Sequence, residues 1–301
     1  MVTNSFRLIS LWSTKVSNLD QSIHSNIWGL GDLIRGTFQL YQICRKHNLS
    51  FELDFRNHPI SQIMIEKTEF KYKNTSRINF HIFLNTLEME KFILNAAKNT
   101  EKDFFIMTNG CLPLSNVYAN DFKKFIKKHF QLKSEYRKLL ENYLPSPKSY
   151  DVLHIRLGDD FLIENKNVLT KNILMILRFN LNKDTILISD SNYLKDFAKR
   201  KLFARILPTQ PTHFGLKINA KQTFDNYLEF YILTGANNIK TFSNYSWISG
   251  FVYTASIIYG IPLTNIKEKI VIKMIIYILK ISKYKVINFV KKLMKIFTIN
   301  K

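Results

Sequence analysis

Residues 150–160 read YDVLHIRLGDD: an apolar run that ends in a histidine, an arginine and two aspartates around one glycine. Val152 to Leu157 have the content of a strand, and period-two alternation puts His154 and Arg156 on one face. Gly158 opens a turn where a ligand can approach the backbone. So much charge at a strand end has two readings. Arg156 makes forked hydrogen bonds to a phosphate, or it closes a strand-end salt bridge to Asp159 or Asp160.

Downstream, strands and helices alternate. NVLTKNILMILRFNL (167–181), NYLKDFAKRKL (192–202), TFDNYLEFYILTG (223–235) and SWISGFVYTASIIYG (246–260) have the apolar spacing of helices. DTILISDS (184–191), ARILP (204–208) and NIKTFSN (238–244) between them read as strands. Repeated strand-helix units predict an α/β fold with a parallel sheet covered on both faces. In such sheets ligands sit beyond the carboxyl ends of the strands. His154, Arg156, Ser189, Asp190, Thr241 and Ser243 all fall at or just past such ends.

Upstream, SFRLISLWS (5–13), GLGDLIRGTFQLYQICRKHN (29–48) and LSFELDF (49–55) form a second strand, turn-helix, strand unit. Residues 60–148 read as irregular and mostly helical, with FFIMTN (104–109) as a strand and NDFKKFIKKHF (120–130) as a basic surface helix. Pro145 and Pro147 in NYLPSPKSYD disfavour helix continuation. They place a domain boundary near residue 148. The expected domains are therefore 1–148 and 149–265, followed by a tail, 266–301.

The chain has 301 residues, 46 % of them hydrophobic, enough for buried cores in two domains of ordinary size. Its 44 lysines and arginines against 23 acids give a formal charge of +21, which suits anionic partners: phosphorylated small molecules, nucleic acid or an acidic membrane. Cys44 and Cys111 have neither disulfide-framework nor metal-ligand spacing, so they read as two buried thiols in a reducing compartment. MVTNSFRLISLWSTKVSNLD lacks the pattern of a signal peptide, so the protein is expected in the cytoplasm. No run reaches the length of a membrane-spanning helix.

Four motifs together resemble the fucosyltransferases that make α1,2 and α1,6 linkages. They are His-x-Arg followed by Gly-Asp at 154–159, GLGDLIRG at 29–36, LISDS at 187–191 and TFSNYSWISGFVY at 241–253. Their order and spacing match that family over residues 25–265. The resemblance implies the GT-B type, two facing Rossmann-like domains, with GDP-fucose as the nucleotide-sugar donor, a glycan or glycolipid acceptor, and no metal or other cofactor. It implies that His154 contacts the guanine or its ribose and Arg156 the diphosphate. Gly158, Ser189 and Asp190 would complete the donor site with the loop Thr241, Phe242, Ser243 and Asn244, whose backbone amides would bind phosphate. Asp32, Asp159 and Glu164 are the candidates for the general base.

The residues also depart from the family pattern. Leu157 stands where a second arginine is usual, so one diphosphate contact is missing or comes from Arg35 or a lysine. Asn237 or Asn238 stands where an acid that pairs with guanine is usual. GLGD is also what an ordinary helix start looks like, with Asp32 at the positive end of the dipole. SDS at 189–191 fits a simple helix cap. His213 sits in a polar loop and faces either a cleft or solvent.

The tail 266–301 carries ten lysines and one glutamate, a net +9, which leaves +12 for the rest. Lys269, Lys273, Lys280, Lys291 and Lys295 fall on one helical face, with Val271, Ile275, Ile278 and Phe289 opposite. This basic amphipathic helix either lies on an anionic membrane surface, on its inner face, or closes the core. The expected function is an inverting glycosyltransferase. A transferase for another nucleotide sugar is the nearest alternative, and a non-catalytic basic protein that binds membrane or nucleic acid is the competitor of another class. No nucleic-acid motif or interleaved stacking surface is present to support the last.

Overall fold

The computed structural model describes residues 6–13, 28–65, 78–80, 82–99, 103–158, 169–210, 212 and 218–266. The elements of the first half are β1 (Arg7–Ser13), α1 (Leu30–Lys46), β2 (Ser50–Asn57), β3 (Ile78–Phe80), α2 (Thr86–Asn99), β4 (Asp103–Met107), α3 (Ala119–His129) and α4 (Ser134–Tyr143). The second half contains β5 (Asp151–Arg156), α5 (Lys171–Asn180), β6 (Thr185–Ser189), α6 (Asn192–Leu202), β7 (Arg205–Ile206), α7 (Ala220–Gly235), β8 (Asn238–Ser243), α8 (Gly250–Tyr259) and β9 (Leu263–Asn265).

Two sheets result, in the orders β2-β1-β4-β3 and β7-β6-β5-β8-β9. The pairings β1·β2, β1·β4, β3·β4, β5·β6, β5·β8 and β6·β7 are all parallel, as the strand-helix alternation predicts. Central β1 is buried from Leu8 to Ser13, and β6 throughout. Strands covered on both faces have near-continuous apolar sequences, which is what RLISLWS and TILIS are. The strands of the first sheet precede residue 148 and those of the second follow it. Both sheets belong to one compact unit, Met1–Thr264. One core cluster joins Trp12, Phe38 and Phe122 to Val152, Ile186 and Ile239. A second, containing Leu8, Leu40, Met89 and Ile106, covers the other side of β1 and β4.

Three sequence readings change. The segment 60–148 contains the short strand β3 as well as its helices. The last strand, β9, was also unread, because three residues carry too little periodicity to register. Helix α8 begins at Gly250 and not at Ser246; ahead of it, Asn244 is tied to β5, its N–H to the Arg156 carbonyl (3.0 Å) and its Nδ2 to the Leu157 carbonyl (3.0 Å). The basic helix α3 is amphipathic, with Phe122 and Ile126 buried. Both cysteines are free and buried, and burial raises the Cys44 thiol to about 12. Among the described residues no helix is long and apolar enough to cross a membrane. The tail beyond Ile266 lies outside the described residues.

Candidate functional site

The carboxyl end of β5 is built around Asp190. Its carboxylate accepts the Leu157 N–H at 2.9 and 3.0 Å and the Gly158 N–H at 2.8 Å. It also lies 3.2 Å from the Arg156 guanidinium. Gly158 has φ of 130°, a backbone that a side chain would strain, and this lets the chain fold back over the carboxylate. Burial pushes the Asp190 pKa up, while Arg156 and the backbone N–H groups pull it down. The helix-cap reading of SDS holds at its last residue: Ser191 accepts the Leu194 N–H at 3.2 Å. Among the described residues Arg156 pairs with Asp190, from the neighbouring strand end. Asp159, Asp160, Glu164 and His213 lie outside the described residues.

His154 sits two residues earlier on the same face. Its Nδ1 is 3.0 Å from Thr241 Oγ1, its register partner on β8. Burial, and then the Arg156 charge, depress its pKa to about 3, so the imidazole is neutral.

Two helix N-termini face these strand ends. Helices α1 and α8 start at Gly29 and Ser249, neither of which makes a side-chain cap bond. Their first backbone N–H groups lack intrahelical partners, and both dipoles point their positive ends this way. The starts approach closely because both are glycine-lined: a Cβ on Gly31 would lie 2.5 Å from the Phe251 Cα, and one on Gly250 would lie 2.6 Å from Arg35 and Asp32 side-chain atoms. Arg35 is buried, its Nε donating to the Asn109 carbonyl at 2.8 Å and its NH1 lying 3.0 Å from Asp32 Oδ1.

Together these groups enclose a cavity of about 600 Å³. Of the residues singled out from the sequence, Asp32, Arg35, His154, Arg156, Ser189 and Asp190 line it. Gly158, Thr241, Phe242, Ser243 and Asn244 do not; Gly158 is bonded to Asp190, and the other four join β8 and its end to β5 behind the cavity wall. The lining past Asn244 comes from Tyr245 and residues 247–251. Leu157 is buried and also absent from the lining; among the described residues Arg35 is the second arginine of the cavity. Asn237 and Asn238 sit at the amino end of β8, the end away from the cavity, because the chain enters that strand there.

Sequence reasoning missed the cavity's α7 face. Asn226 and Glu229, three residues apart on one side of that helix, line it. Glu229 is buried, accepts from Thr209 Oγ1 at 2.5 Å and pairs with buried Lys195 at 3.3 Å. A lysine and a glutamate at core-facing positions of α6 and α7 were the available signal. At the mouth, Trp247 is 60 % exposed and stacked on Tyr245, with centroids 4.9 Å apart and rings 7° from parallel. Among the described residues no cluster of three metal-ligating side chains occurs.

No protein-family model matches this chain, and no curated protein does. Solved structures similar to it include POFUT1 in its apo form, 10 % identical, covering 88 % of this chain and 98 % of that one at a TM-score of 0.47. An Arabidopsis thaliana FUT1 mutant in complex with GDP is 10 % identical, covering 85 % and 69 % at a TM-score of 0.48. The NodZ α-1,6-fucosyltransferase co-crystallised with GDP is 13 % identical, covering 83 % and 91 % at a TM-score of 0.46.

Proposed function

We propose that this chain is an inverting glycosyltransferase of the GT-B type, with facing Rossmann-like domains at 1–148 and 149–265, that transfers fucose from GDP-fucose to a hydroxyl of a glycan or glycolipid. The observation that carries the reading is the Arg156 guanidinium, fixed by Asp190 on the wall of a cavity that also receives the uncapped starts of α1 and α8. A fixed cation and two helix starts without side-chain caps around one space suit a diphosphate.

The reaction follows from that placement. The acceptor hydroxyl oxygen bonds to the donor's anomeric carbon as the bond from that carbon to the β-phosphate oxygen breaks. The bonding pair leaves with GDP, so negative charge grows on the β-phosphate, where Arg156 and the helix starts already point. A preorganised cation of this kind lowers the barrier by about 3 kcal/mol. The hydroxyl proton goes to a carboxylate. Asp32 is the candidate base among the described residues: it lines the cavity and, though one oxygen pairs with Arg35, its side chain is partly exposed there, whereas Glu229 is buried between Lys195 and Thr209. Asp159 and Glu164 are the other two. His154, neutral and anchored by Thr241, is a polar contact for the nucleoside and not a cation.

The choice of GDP rests on the order and spacing of the four sequence motifs. A transferase for another nucleotide sugar is favoured by Leu157, which is buried where a second arginine would be. A donor panel separates the two: thermal stabilisation by GDP but not by UDP or CMP supports the first reading, and the reverse supports the second. We place the protein in the cytoplasm, peripheral on the inner face of a membrane through residues 266–301. Flotation with anionic vesicles, weakened by salt, tests that placement.

A further inference from the structure

Among the described residues a second cavity, of about 930 Å³, lies between α3 and α4 on one side and α7 and α8 on the other. Its floor is apolar: Phe122, Ile126, Leu140, Tyr227, Phe230 and Ile258 line it, all of them buried. Its rim is cationic. Lys123, Lys124, Lys127, Lys128 and Arg137 surround it, against Glu141 as the acid among the described lining residues. Among the described residues no carboxylate forms a salt bridge with Lys123, Lys124 or Lys127. None of these residues belongs to the cavity that holds Arg156.

The two parts of this site ask for different things of one ligand. An apolar floor of this size gives no partner to an inorganic anion, and a ring of cations repels the lysine-rich tail of the same chain. A molecule with a hydrocarbon chain and an anionic head satisfies both: the chain covers the floor, and the head neutralises lysines that would otherwise face one another. Helix α3 presents the arrangement directly, with Phe122 and Ile126 turned inward and Lys123, Lys124, Lys127 and Lys128 along its outer side. This is the pattern of a helix at a lipid surface, rooted here in a folded groove.

We infer that the α3–α4–α7–α8 groove is a binding site for an anionic phospholipid presented by a bilayer, with an acyl chain on the Phe122–Phe230 floor and the phosphate among the α3 lysines. The site rests neither on the glycosyltransferase reading nor on the tail.

The test uses the full-length protein with phosphatidylcholine vesicles, with and without phosphatidylglycerol, and two variants. Lys123→Glu with Lys127→Glu cancels the net charge of the rim. Thr234→Trp fills the groove, which Thr234 lines, without altering its charge. Both variants should keep the wild-type circular dichroism and donor-nucleotide binding, and each should weaken binding to the anionic vesicles by about tenfold or more. The unaltered tail is common to all three proteins, so its contribution cancels. If only the charge reversal weakens binding, the lysines act as a bare surface and the groove site is refuted. Equal binding to both kinds of vesicle, or an oligonucleotide that competes fully with the vesicles, refutes it as well.

Discussion

Gly31 and Phe251 meet backbone to backbone: a Cβ placed on Gly31 would lie 2.5 Å from the Phe251 Cα and 2.9 Å from its N. Two helix starts, one from each half of the chain, therefore share one small space beside the cavity.

Gly31→Ala should force α1 and α8 apart, since the atoms it meets are backbone and cannot swing aside. The expected cost is about 1 to 3 kcal/mol of stability, together with weaker nucleotide binding, because the helix starts lose their common aim. Urea unfolding and nucleotide titration of the same variant measure both. A variant with wild-type stability would mean that the two starts are not held at this distance.

Arg156→Ala should lower kcat by about 10² to 10³ and leave the fold intact, because Asp190 keeps its bonds from the Leu157 and Gly158 N–H groups. Arg156→Lys should also be poor, as an ammonium cannot make the forked contact. Near wild-type kcat at saturating donor in the alanine variant would remove Arg156 from the diphosphate site.

Asp190→Ala should be worse for stability than for any single contact. It strips acceptors from two buried N–H groups and removes a carboxylate that Arg156 pairs with, a loss of about 3 kcal/mol or more. Asp190→Asn, which retains one acceptor oxygen, should fall between the alanine variant and the wild type. If urea midpoints place all three together, the carboxylate does not organise the strand end.

Acid should destabilise the protein partly through His58, which is buried against Trp12, takes the Ile60 N–H on Nδ1, and has its pKa pushed down by burial to about 3. As pH falls below the ordinary histidine value of 6.5, the unfolded chain binds a proton that the folded one refuses. Stability is therefore complete above about pH 6.5 and is lost toward pH 3, at about 1.4 kcal/mol per pH unit. Asp190 and Asp225, whose pKa values are raised, work in the opposite sense in wild type and variant alike. His58→Asn should lack this share of the slope. Denaturation at a series of pH values compares the two, and parallel curves would sink the idea.

Activity should survive EDTA, since the charge that develops on the leaving phosphate has Arg156 and two helix starts to meet it. Loss on chelation, restored by one divalent ion, would overturn the proposed reaction.

Period and composition were enough for much of this molecule. The parallel strands, α1 and most of the later helices could be read from RLISLWS, DVLHIR and TILIS and the helical spacing between them, because local apolar periodicity and burial on two sheet faces are properties of short windows. The alternation of His154 and Arg156 put both on the cavity wall for the same reason. The partners of these residues were another matter. Arg156 is neutralised by Asp190, which lies beyond α5 in the chain and beside it only through the β5·β6 register. Lys195 and Glu229 come together from separate helices, and Asn226 and Glu229 form a wall that no spacing around the motifs announces. Sequence sets which face of a strand or helix a side chain takes; which face meets which is set by sheet order, by register, and by glycines such as Gly31 and Gly250 that let two backbones close to contact.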